Sequence, residues 1–490
     1  MFNNNAGYLP VTKNRRIIGL VTRRGVLRTL FDGAFRSRRH NIRRRKIMKT
    51  KGSLVNVLNE MKRALPKGVL SIIKRLAKFA EERQFKAYIV GGFVRDFLLG
   101  AKNLDVDLVI EGDAIELARF VAEKLDAALV AHRKFGTATL FIRKTMKGIR
   151  FKIDVATART EIYKHPAALP SVKFGSIKDD LYRRDFTINA MAVSIDKKNF
   201  GELIDLFGGR IDLRNRRIRV LHDKSFIDDP TRIFRAVRFE QRYNFKIDRH
   251  TLSLIKNAVK TEMFDKVSGE RLHEEIELLL KEKEPLKTIK RMRNLNELRF
   301  ISPKIEFDAA SERICENTEE LFKWYRKYFI KRRTVDLWLV YFMAIIDKLS
   351  LKESLKVCDR FVMRRSERLR IISCKKFENR VVTVLSNKKI VRPSEIYRLV
   401  EPLSYETLIF LMAKCGKNLV KKRVIDFLCK YNGTRLRIRG EDLKNLGIKP
   451  GPGFTKILKK TLYAKIDGKL KTKKDELLFT ERIAKSLSRE

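Results

Sequence analysis

The spacing of apolar residues predicts that short strands and helices alternate in the first part of the chain. Apolar residues recur at helical intervals between Val69 and Phe85 and again between Ala114 and Leu125. A shorter helix is predicted from Val94 to Leu99. Apolar, β-prone runs predict strands at Ala87–Val90, Val106–Ile110, Ala128–Ala131, Thr137–Ile142 and Phe151–Ala156. Together these elements predict an α/β unit with a mixed sheet at about residues 84–200.

Beyond about Asp228 the apolar pattern becomes helical almost to the end of the chain. Pro393, Pro402 and Pro450 punctuate the later helices. The clearest helical segments are Ile233–Phe239, Leu252–Val259, Leu272–Leu280 and Trp338–Ile346. We therefore predict an α+β fold class, in which a head with a mixed β-sheet flanked by helices is followed by an all-α remainder.

Composition makes nucleic acid the first partner to consider. The chain has 490 residues, of which 44% are apolar, which is enough for several packed domains. Its formal net charge of +52 attracts polyanions. No stretch is long and apolar enough to span a bilayer, so no membrane partner is predicted. The sequence does not predict an oligomeric state.

The cysteine pattern is typical of reduced thiols in the cytoplasm. The number of cysteines is odd, and none forms a C-x-x-C pair, which argues against a disulfide framework and against a zinc site built from cysteines. The histidines are scattered, and the dipeptide His222-Asp223 is interpreted as part of a turn. We therefore predict a cytoplasmic protein. The cysteines are Cys315, Cys358, Cys374, Cys415 and Cys429.

Residues 1–52 differ from the rest of the chain in their charge. Asp32 is the only acidic residue among them, and the basic run Arg43–Lys46 lies near their end. This composition predicts a flexible polycationic arm. Two other interpretations stay open, because Arg-rich, acid-poor N-termini also mark organelle transit peptides and because the protein could start at Met48.

Two aspartates at the start of a predicted strand are candidate metal ligands. Residues i and i+2 of a strand lie on the same face, so Asp105 and Asp107 are predicted to point the same way. Neighbouring carboxylates repel each other, and a cation helps both to stay ionised. Mg²⁺ prefers oxygen ligands and commonly completes its shell with substrate phosphates. Because D-x-D pairs are common on protein surfaces, this interpretation depends on the residues around the pair.

A glycine turn precedes these aspartates. Gly91 and Gly92 follow a predicted strand and precede a predicted helix, and glycine lets backbone amides approach a phosphate closely. Arg95 lies just inside that helix, where its guanidinium can bind a triphosphate. Asp96 is interpreted as structural, because it can orient Arg95 or cap the turn. The turn, the arginine and the D-x-D pair together predict a nucleotide site.

The segments Gly91–Gly100 and Asp105–Asp107 resemble the first motif of the class II tRNA nucleotidyltransferases. That family includes CCA-adding enzymes, their C-adding and A-adding relatives and bacterial poly(A) polymerases, within the DNA polymerase β-like nucleotidyltransferase superfamily. The resemblance implies that Gly92 and Arg95 contact the incoming nucleotide. It also implies that Asp105 and Asp107 hold Mg²⁺ in a two-metal mechanism.

A third carboxylate, Asp154, lies on the last predicted strand of the sheet. The resemblance to the superfamily implies a general base at such a position. A structural hydrogen bond is an equally good interpretation, and the sequence leaves both open.

The segment Arg183–Ala192 resembles the second motif of the same family nearly letter for letter. Taken alone it is compatible with a helix start that carries a solvated arginine pair. The resemblance implies that Arg184 contacts the nucleotide, and that Asp185 and Asn189 line the ribose side and favour a 2′-hydroxyl. The segment Leu203–Leu213 matches too, so the resemblance is strong from about residue 84 to 245 and general beyond.

The residues from Asp228 onward are predicted to open a helix, with Pro230 in its first turn. Asp229 and Arg232, one turn apart, are predicted to lie side by side on one helical face. An Asp accepts from an exocyclic amine and an Arg donates to a ring nitrogen, and this pattern selects C and A against G and U. The pair resembles the protein-templating motif of the family, in which Glu is usual where this chain has Asp228.

Two further arginines, Arg235 and Arg238, follow on the same predicted helix. The resemblance implies that they face the triphosphate or stabilise the nucleotide pocket. Four regions are predicted: a basic arm at 1–52, a nucleotidyltransferase head at 53–200, a helical neck with the base-reading motif at 201–290, and a basic, tRNA-binding helical body and tail at 291–490.

The predicted function is the template-independent addition of C, A or both, from CTP and ATP, to the 3′ end of a tRNA, with release of pyrophosphate. The predicted partners are nucleoside triphosphates and the 3′ end and acceptor stem of tRNA. One alternative is a poly(A) polymerase that acts on other RNA 3′ ends, since the motifs are shared. The other is a non-catalytic RNA-binding protein, and the presence of both Asp105 and Asp107 argues against it.

Overall fold

The structure, a computed structural model, describes two short strands near the N-terminus and most of the chain from residue 55 onward. The described residues are 8–13, 16–22 and 55–487, without 102, 143–150, 163–170, 262, 330–332 and 449. β1 (Tyr8–Lys13) and β2 (Arg16–Thr22) form an antiparallel hairpin. The prediction of a flexible arm missed this hairpin, because it weighed basic charge above β-branched residues such as Val11 and Ile17. The rest of that prediction, with its two alternatives, lies outside the described residues.

Asn56–Glu490 form one compact unit, which contains the predicted mixed sheet. Its seven strands are β3 (Lys86–Val90), β4 (Val106–Glu111), β5 (Ala128–His132), β6 (Thr137–Ile142), β7 (Phe151–Thr157), β10 (Ala192–Ser194) and β11 (Leu203–Ile204). They pair in the order β11-β10-β3-β4-β7-β6-β5. Only β4 and β7 are parallel among these neighbours. The mixed sheet is therefore confirmed, whereas the hairpin of β8 (Arg159–Ile162) and β9 (Ser171–Phe174) was not predicted.

Five helices accompany this sheet in the described residues, and the second, third and fourth of them lie at nearly the predicted positions, whereas the first and fifth were not predicted. They are α1 (Leu58–Ala64), α2 (Lys67–Glu82), α3 (Gly92–Leu98), α4 (Ala114–Leu125) and α5 (Ile177–Tyr182). α4 has the predicted bounds, and the Asp113 carboxylate caps it by accepting from the amides of Ile115 and Glu116. α2 ends before the predicted Phe85, because Gln84 adopts a left-handed conformation with φ of 56°. The apolar periodicity therefore located these helices, and local backbone conformation set their ends.

The remainder of the chain is helical, as predicted. Its helices are α6 (Gly209–Arg214), α7 (Ser225–Asp228), α8 (Arg232–Tyr243), α9 (Arg249–Lys260), α10 (Gly269–Leu280), α11 (Pro285–Asn294), α12 (Ala309–Tyr328), α13 (Leu337–Ile345), α14 (Leu351–Arg360), α15 (Arg365–Ser386), α16 (Pro393–Val400), α17 (Tyr405–Cys415), α18 (Asn418–Asp426), α19 (Gly440–Asn445), α20 (Pro452–Ile466) and α21 (Lys473–Leu487). Two short strands, β12 (Arg217–Ile218) and β13 (Lys246–Ile247), pair in parallel between them and were not predicted. The segment from Trp338 to Ile345 in α13 is buried throughout, which matches its continuous apolar sequence.

The structure also bears on the predictions for membrane spans, for the cysteines and for His222. None of the helices in the described part of the chain is long and apolar enough to cross a membrane. All five cysteines are free thiols, in agreement with the sequence. His222 and Asp223 lie in the turn that was predicted for them. The boundaries at residues 200 and 290 stay predictions, since residues 56–490 form one compact unit.

Candidate active site

Asp105, Asp107 and Asp154 lie near one another at the neighbouring central strands β4 and β7, and we call this group the carboxylate edge. Asp107 is the second residue of β4, and it pairs in parallel register with Asp154 on β7. Asp105 is exposed and lies just before β4, which begins at Val106. Burial raises the pKa of the Asp107 carboxyl to about 6, Arg184 opposes this rise, and Asp154 and Asp105 add to it. The carboxylates of Asp154 and Asp105 thus act electrostatically on Asp107, and a cation would relieve this repulsion.

Asp154 has hydrogen-bond partners of its own. It accepts from the Thr139 hydroxyl at 2.7 Å and from the Lys152 ammonium at 3.1 Å. These bonds fit the structural interpretation of Asp154, while its place beside Asp107 fits the general-base interpretation. Both roles therefore stay open.

The glycine turn brings the backbone against the carboxylate edge. Gly91 precedes α3 and has a φ of 70°, which residues other than glycine rarely adopt. A Cβ atom at this position would lie 2.5 Å from Arg184 Nη1 and 4.0 Å from Asp107 Oδ2. Glycine is thus needed at residue 91 both for the turn and for the close approach of Arg184.

We expect Gly91→Ala to raise the KM for the nucleotide and to lower the free energy of unfolding by about 1–2 kcal/mol, the usual cost of a left-handed residue with a side chain. Gly100→Ala is the matched control, because Gly100 has a φ of 72° with no atom within 4 Å of its Cβ position. Steady-state kinetics and thermal unfolding measure both effects. If the two variants raise KM equally, Gly91 does not act through Arg184.

Arg95 is held rigidly at the base of the site. It is buried, and it donates to Asn189 Oδ1 at 2.6 Å and to Asp96 Oδ1 at 2.8 Å. Its guanidinium carbon lies 4.7 Å from the centre of the Tyr243 ring. Asp96 also accepts from Asn103 at 2.8 Å. Asp96 therefore orients Arg95, as one of the two structural interpretations predicted.

Asp185 is the centre of a buried ionic network. Its carboxylate accepts from Asn189 Nδ2 at 2.9 Å and from two nitrogens of Arg235 at 2.9 and 2.7 Å. Burial alone would raise its pKa, but Arg235 and the hydrogen bonds outweigh burial and hold the pKa at about 2. Arg235 also donates to Glu275 at 3.2 Å. Asp185 is therefore a fixed anion whose main partner comes from α8.

Asp185→Ala is expected to lower the free energy of unfolding by about 3 kcal/mol, because it removes one partner of a buried ion pair. The control is Asp223→Ala, since Asp223 pairs with His250 at the exposed surface and such pairs contribute less than about 1 kcal/mol. Denaturant unfolding of both variants measures the difference. Equal stability of the two variants would contradict a structural role for the Asp185–Arg235 pair.

Arg184 takes its position from a residue that the sequence motifs did not single out. Asp180, on α5, has a fully buried carboxylate that binds Arg184 Nη2 at 2.8 Å and Arg183 Nη2 at 2.6 Å. The i,i+3 and i,i+4 spacing allows one acid to hold both arginines. Asp180 thus places the arginine pair of the second motif at the site.

The predicted neighbours Asp229 and Arg232 are adjacent, although the helix does not bring them together. α7 ends at Asp228, Asp229 is extended, and α8 begins only at Arg232. The prediction that Asp229 and Pro230 open the helix is wrong, because a residue before proline is sterically driven out of the helical region. Arg232 Nε nevertheless lies 4.0 Å from Asp229 Oδ2 across this turn.

A residue from a distant helix completes this pair. Arg271, on α10, lies 2.6 Å from Asp229 Oδ1, which also accepts from the Thr231 hydroxyl at 2.6 Å. Both contacts use Oδ1, so Oδ2 is the oxygen beside Arg232. Local sequence contains no signal for Arg271, because it lies 42 positions after Asp229.

Arg238 lies behind the site. It is buried with its Nη1 3.5 Å from Glu275 Oε2, and burial lowers its pKa. Its guanidinium also lies 5.4 Å from the centre of the Phe239 ring. This placement favours the interpretation in which Arg238 stabilises the pocket over the one in which it faces the triphosphate.

These side chains surround one cavity of about 470 Å³, a size that suits a small-molecule ligand. Charged groups dominate its wall, since six arginines and six acidic residues contribute to it. The predicted residues that line it are Gly92, Arg95, Asp107, Arg184, Asp185, Asn189, Asp229, Arg232 and Arg235, and the additional arginines are Arg183 and Arg271. The arrangement can bind a polyphosphate next to a cation-binding carboxylate edge and next to an Asp/Arg pair.

Two family models match the chain. Residues 87–219 match a family described as the poly A polymerase head domain. Residues 244–308 match one described as "Probable RNA and SrmB- binding site of polymerase A". The first match contains the carboxylate edge, the glycine turn, Asp185 and Asn189, whereas Arg235 and Glu275 lie beyond it.

Curated relatives match over most of the chain. It is 38% identical over 484 residues to an A-adding tRNA nucleotidyltransferase of Geobacter sulfurreducens, which covers 98% of this chain and 54% of the relative. It is 31% identical to an A-adding tRNA nucleotidyltransferase of Halalkalibacterium halodurans, over 86% of this chain and 95% of that protein. The chain spans about half the length of the first curated relatives that it matches.

Solved structures of similar proteins share the fold. The Thermotoga maritima CCA-adding enzyme complexed with tRNA_CCA has a TM-score of 0.69 and 36% identity, and the match covers 88% of this chain and 99% of that chain. CCA-adding enzyme structures with CTP and with ATP have TM-scores of 0.71, with 36% and 37% identity over 88% and 89% of this chain and 99% and 98% of those chains.

Proposed function

Since the chain belongs to the family of tRNA nucleotidyltransferases and poly(A) polymerases, we propose that it transfers C, A or both from CTP and ATP to the 3′ end of a tRNA. The observation that carries this proposal is the convergence of three features on one cavity. Asp107 from the carboxylate edge, a set of fixed arginines and the Asp229/Arg232 pair all line it. Each feature matches one part of a nucleoside triphosphate.

The carboxylate edge fits a hard divalent cation. Asp105 and Asp107 would hold Mg²⁺, because oxygen donors suit it and because burial and the neighbouring carboxylates, which raise the pKa of Asp107, make a bound cation favourable. When bound, the metal supplies positive charge that activates the 3′-hydroxyl and stabilises the departing pyrophosphate. In the transfer, the 3′-oxygen forms a bond to the α-phosphorus, and the bond from that phosphorus to the β-phosphate oxygen breaks. The hydroxyl proton would go to Asp154 in the general-base interpretation, or to water if Asp154 is structural.

The fixed arginines bind and orient the triphosphate. Arg95 and Arg184 are already held by Asp96 and Asp180, so little side-chain entropy is lost when a phosphate arrives. Asp185 and Asn189 would line the ribose side, where Asn189 is fixed between Arg95 and Asp185. Such prior orientation is what places the reacting atoms in line.

The Asp229/Arg232 pair would select the base. Asp229 Oδ2 can accept from the exocyclic amine of cytosine or adenine, and Arg232 can donate to the adjacent ring nitrogen. Guanine and uracil present the opposite polarity and would leave both groups unpaired. The chain therefore needs no nucleic-acid template for its choice of nucleotide.

We also propose that the acceptor is a tRNA and that the basic body and tail bind it. The relatives are named as tRNA nucleotidyltransferases, and one solved relative is complexed with tRNA_CCA. We assign the head to residues 53–200, the neck to 201–290 and tRNA binding to the body and tail at 291–490. The net charge of +52 supports contact with the phosphates of the acceptor stem.

Extension of tRNA transcripts that lack CCA, CA or A, with labelled CTP and ATP, tests the proposal. Addition of C, C and A identifies a complete CCA enzyme, and addition of one base alone identifies a specialised enzyme. Long A tracts on an unrelated RNA would instead support a poly(A) polymerase. If no transcript is extended, the chain is an RNA-binding protein without this activity.

A further inference from the structure

A second group of potential ligands lies away from the nucleotide cavity. His273 and Glu277 are four residues apart on α10, which places them on one face of the helix. Glu367 joins them from the first turn of α15. One ligand atom from each of the three lies within 4.8 Å of the others. The cluster therefore connects the helix that carries Arg271 to the longest helix in the described part of the body.

The imidazole of His273 points into this cluster without a hydrogen bond. The residue is 6% exposed, and its buried Nε2 has no hydrogen-bond partner. Nε2 lies 3.4 Å from Glu367 Oε2, close enough for an electrostatic contact but outside hydrogen-bond geometry. A buried imidazole nitrogen left in this way is costly unless something else binds it.

The two carboxylates have outer partners that fix their positions. Glu367 accepts from the Arg364 amide at 2.9 Å and from Arg364 Nη1 at 3.2 Å. Glu277 pairs with Lys281. Arg364 Nη2 also lies 3.9 Å from Glu277 Oε2, and the Arg364 and Lys281 side chains are 69% and 52% exposed, so both cations can move into water when a metal binds. Hydrogen-bonded carboxylates of this kind are typical of the surroundings of metal ligands.

We propose that His273, Glu277 and Glu367 bind a divalent transition metal of the zinc class, with water as the fourth ligand. Imidazole with carboxylates suits zinc, and a tetrahedral site with bonds of about 2.0–2.1 Å separates its ligand atoms by roughly 3.3 Å. The distance of 3.4 Å between His273 and Glu367 already matches that separation. The ligand atom of Glu277 lies within 4.8 Å of the other two.

The metal ties α10 to α15, and α10 also carries groups of the nucleotide cavity. Arg271 and Glu275, on that helix, contact Asp229 and Arg235. A metal on the other face of α10 thus limits rotation of the helix that supports the Asp229/Arg232 pair. The site itself does not depend on the proposed function, because its ligands lie outside the cavity.

Zinc binding to the full chain without a polyhistidine tag tests this proposal. The Asp105→Asn/Asp107→Asn protein serves as background, so that the catalytic carboxylates do not contribute metal binding. After removal of metal with a chelator, the protein is dialysed against ZnCl₂ and bound zinc is counted by mass spectrometry. We expect one zinc per chain, and a visible absorption band when Co²⁺ replaces it.

In this background His273→Asn and Glu367→Gln are each expected to weaken zinc binding by more than about 100-fold, since loss of even an outer partner costs about 10- to 100-fold. His250→Asn, which changes an exposed histidine paired with Asp223, is expected to keep it. Circular dichroism shows whether each variant is folded. The proposal is overturned if the background protein binds no zinc, or if both ligand variants bind it as tightly as the His250→Asn control.

Discussion

Replacing Asp105 and Asp107 together with alanine is expected to lower nucleotide incorporation by at least about 1000-fold, equivalent to about 4 kcal/mol of transition-state stabilisation. The reason is that the pair would provide the oxygen ligands for Mg²⁺ at the carboxylate edge. Asp107 also interacts electrostatically with Arg184 and Asp154, so its loss changes the charge at the site. The measurement is single-turnover extension of a tRNA that lacks its terminal residues.

The controls for this prediction separate chemistry from folding. Asp107→Asn keeps the shape of the side chain and removes its charge, and it should show most of the loss. Asp223→Asn changes an exposed acid outside the cavity and should leave incorporation within about twofold of the original protein. Activity of the double variant within tenfold of the original would refute the assignment of these residues as the metal site.

Asp229→Ala is expected to reduce the preference for CTP and ATP over GTP and UTP by about 10- to 100-fold, from the 1.5–3 kcal/mol of a hydrogen bond to a charged group. Triphosphate binding should change less, because Arg95 and Arg184 are held by Asp96 and Asp180 and not by Asp229. Incorporation assays with each nucleotide alone give kcat/KM for all four.

The matched comparison is Asp228→Ala, one residue earlier. Asp228 ends α7 and does not line the cavity, whereas Asp229 does. We expect this variant to keep its nucleotide preference. The base-reading role of Asp229 would be wrong if the two variants discriminated equally well among the four nucleotides.

The sequence predicted most of the head because its signals are local. Apolar periodicity located α2, α4 and the longer strands. Asp107 and Asp154 lie on two of those strands, and in the structure they pair with each other. The arrangement at Asp229 was predicted only in part, since the steric effect of Pro230 competes with the helical pattern around it. Local pattern was therefore reliable for elements and less so for the turns between them.

Other parts of the site could not be predicted from local pattern. Arg271 and Glu275 lie on α10 and reach the cavity only through tertiary packing. Asp180 appears in the sequence as an ordinary residue of an acidic helix start, and its full burial is visible only in the fold. The motifs thus identified the groups that face the substrate, and the structure added those that hold them in place.

The ionic network around Asp185 also limits how the protein can be dissected. A fragment that ended at residue 200 would keep the buried Asp185 carboxylate and lose Arg235, its main partner. An unpaired buried charge costs several kcal/mol, a large share of the stability of a typical domain. The sheet and the helix that follows it are therefore a single unit of inheritance, in which catalytic and supporting residues can be exchanged between relatives only together.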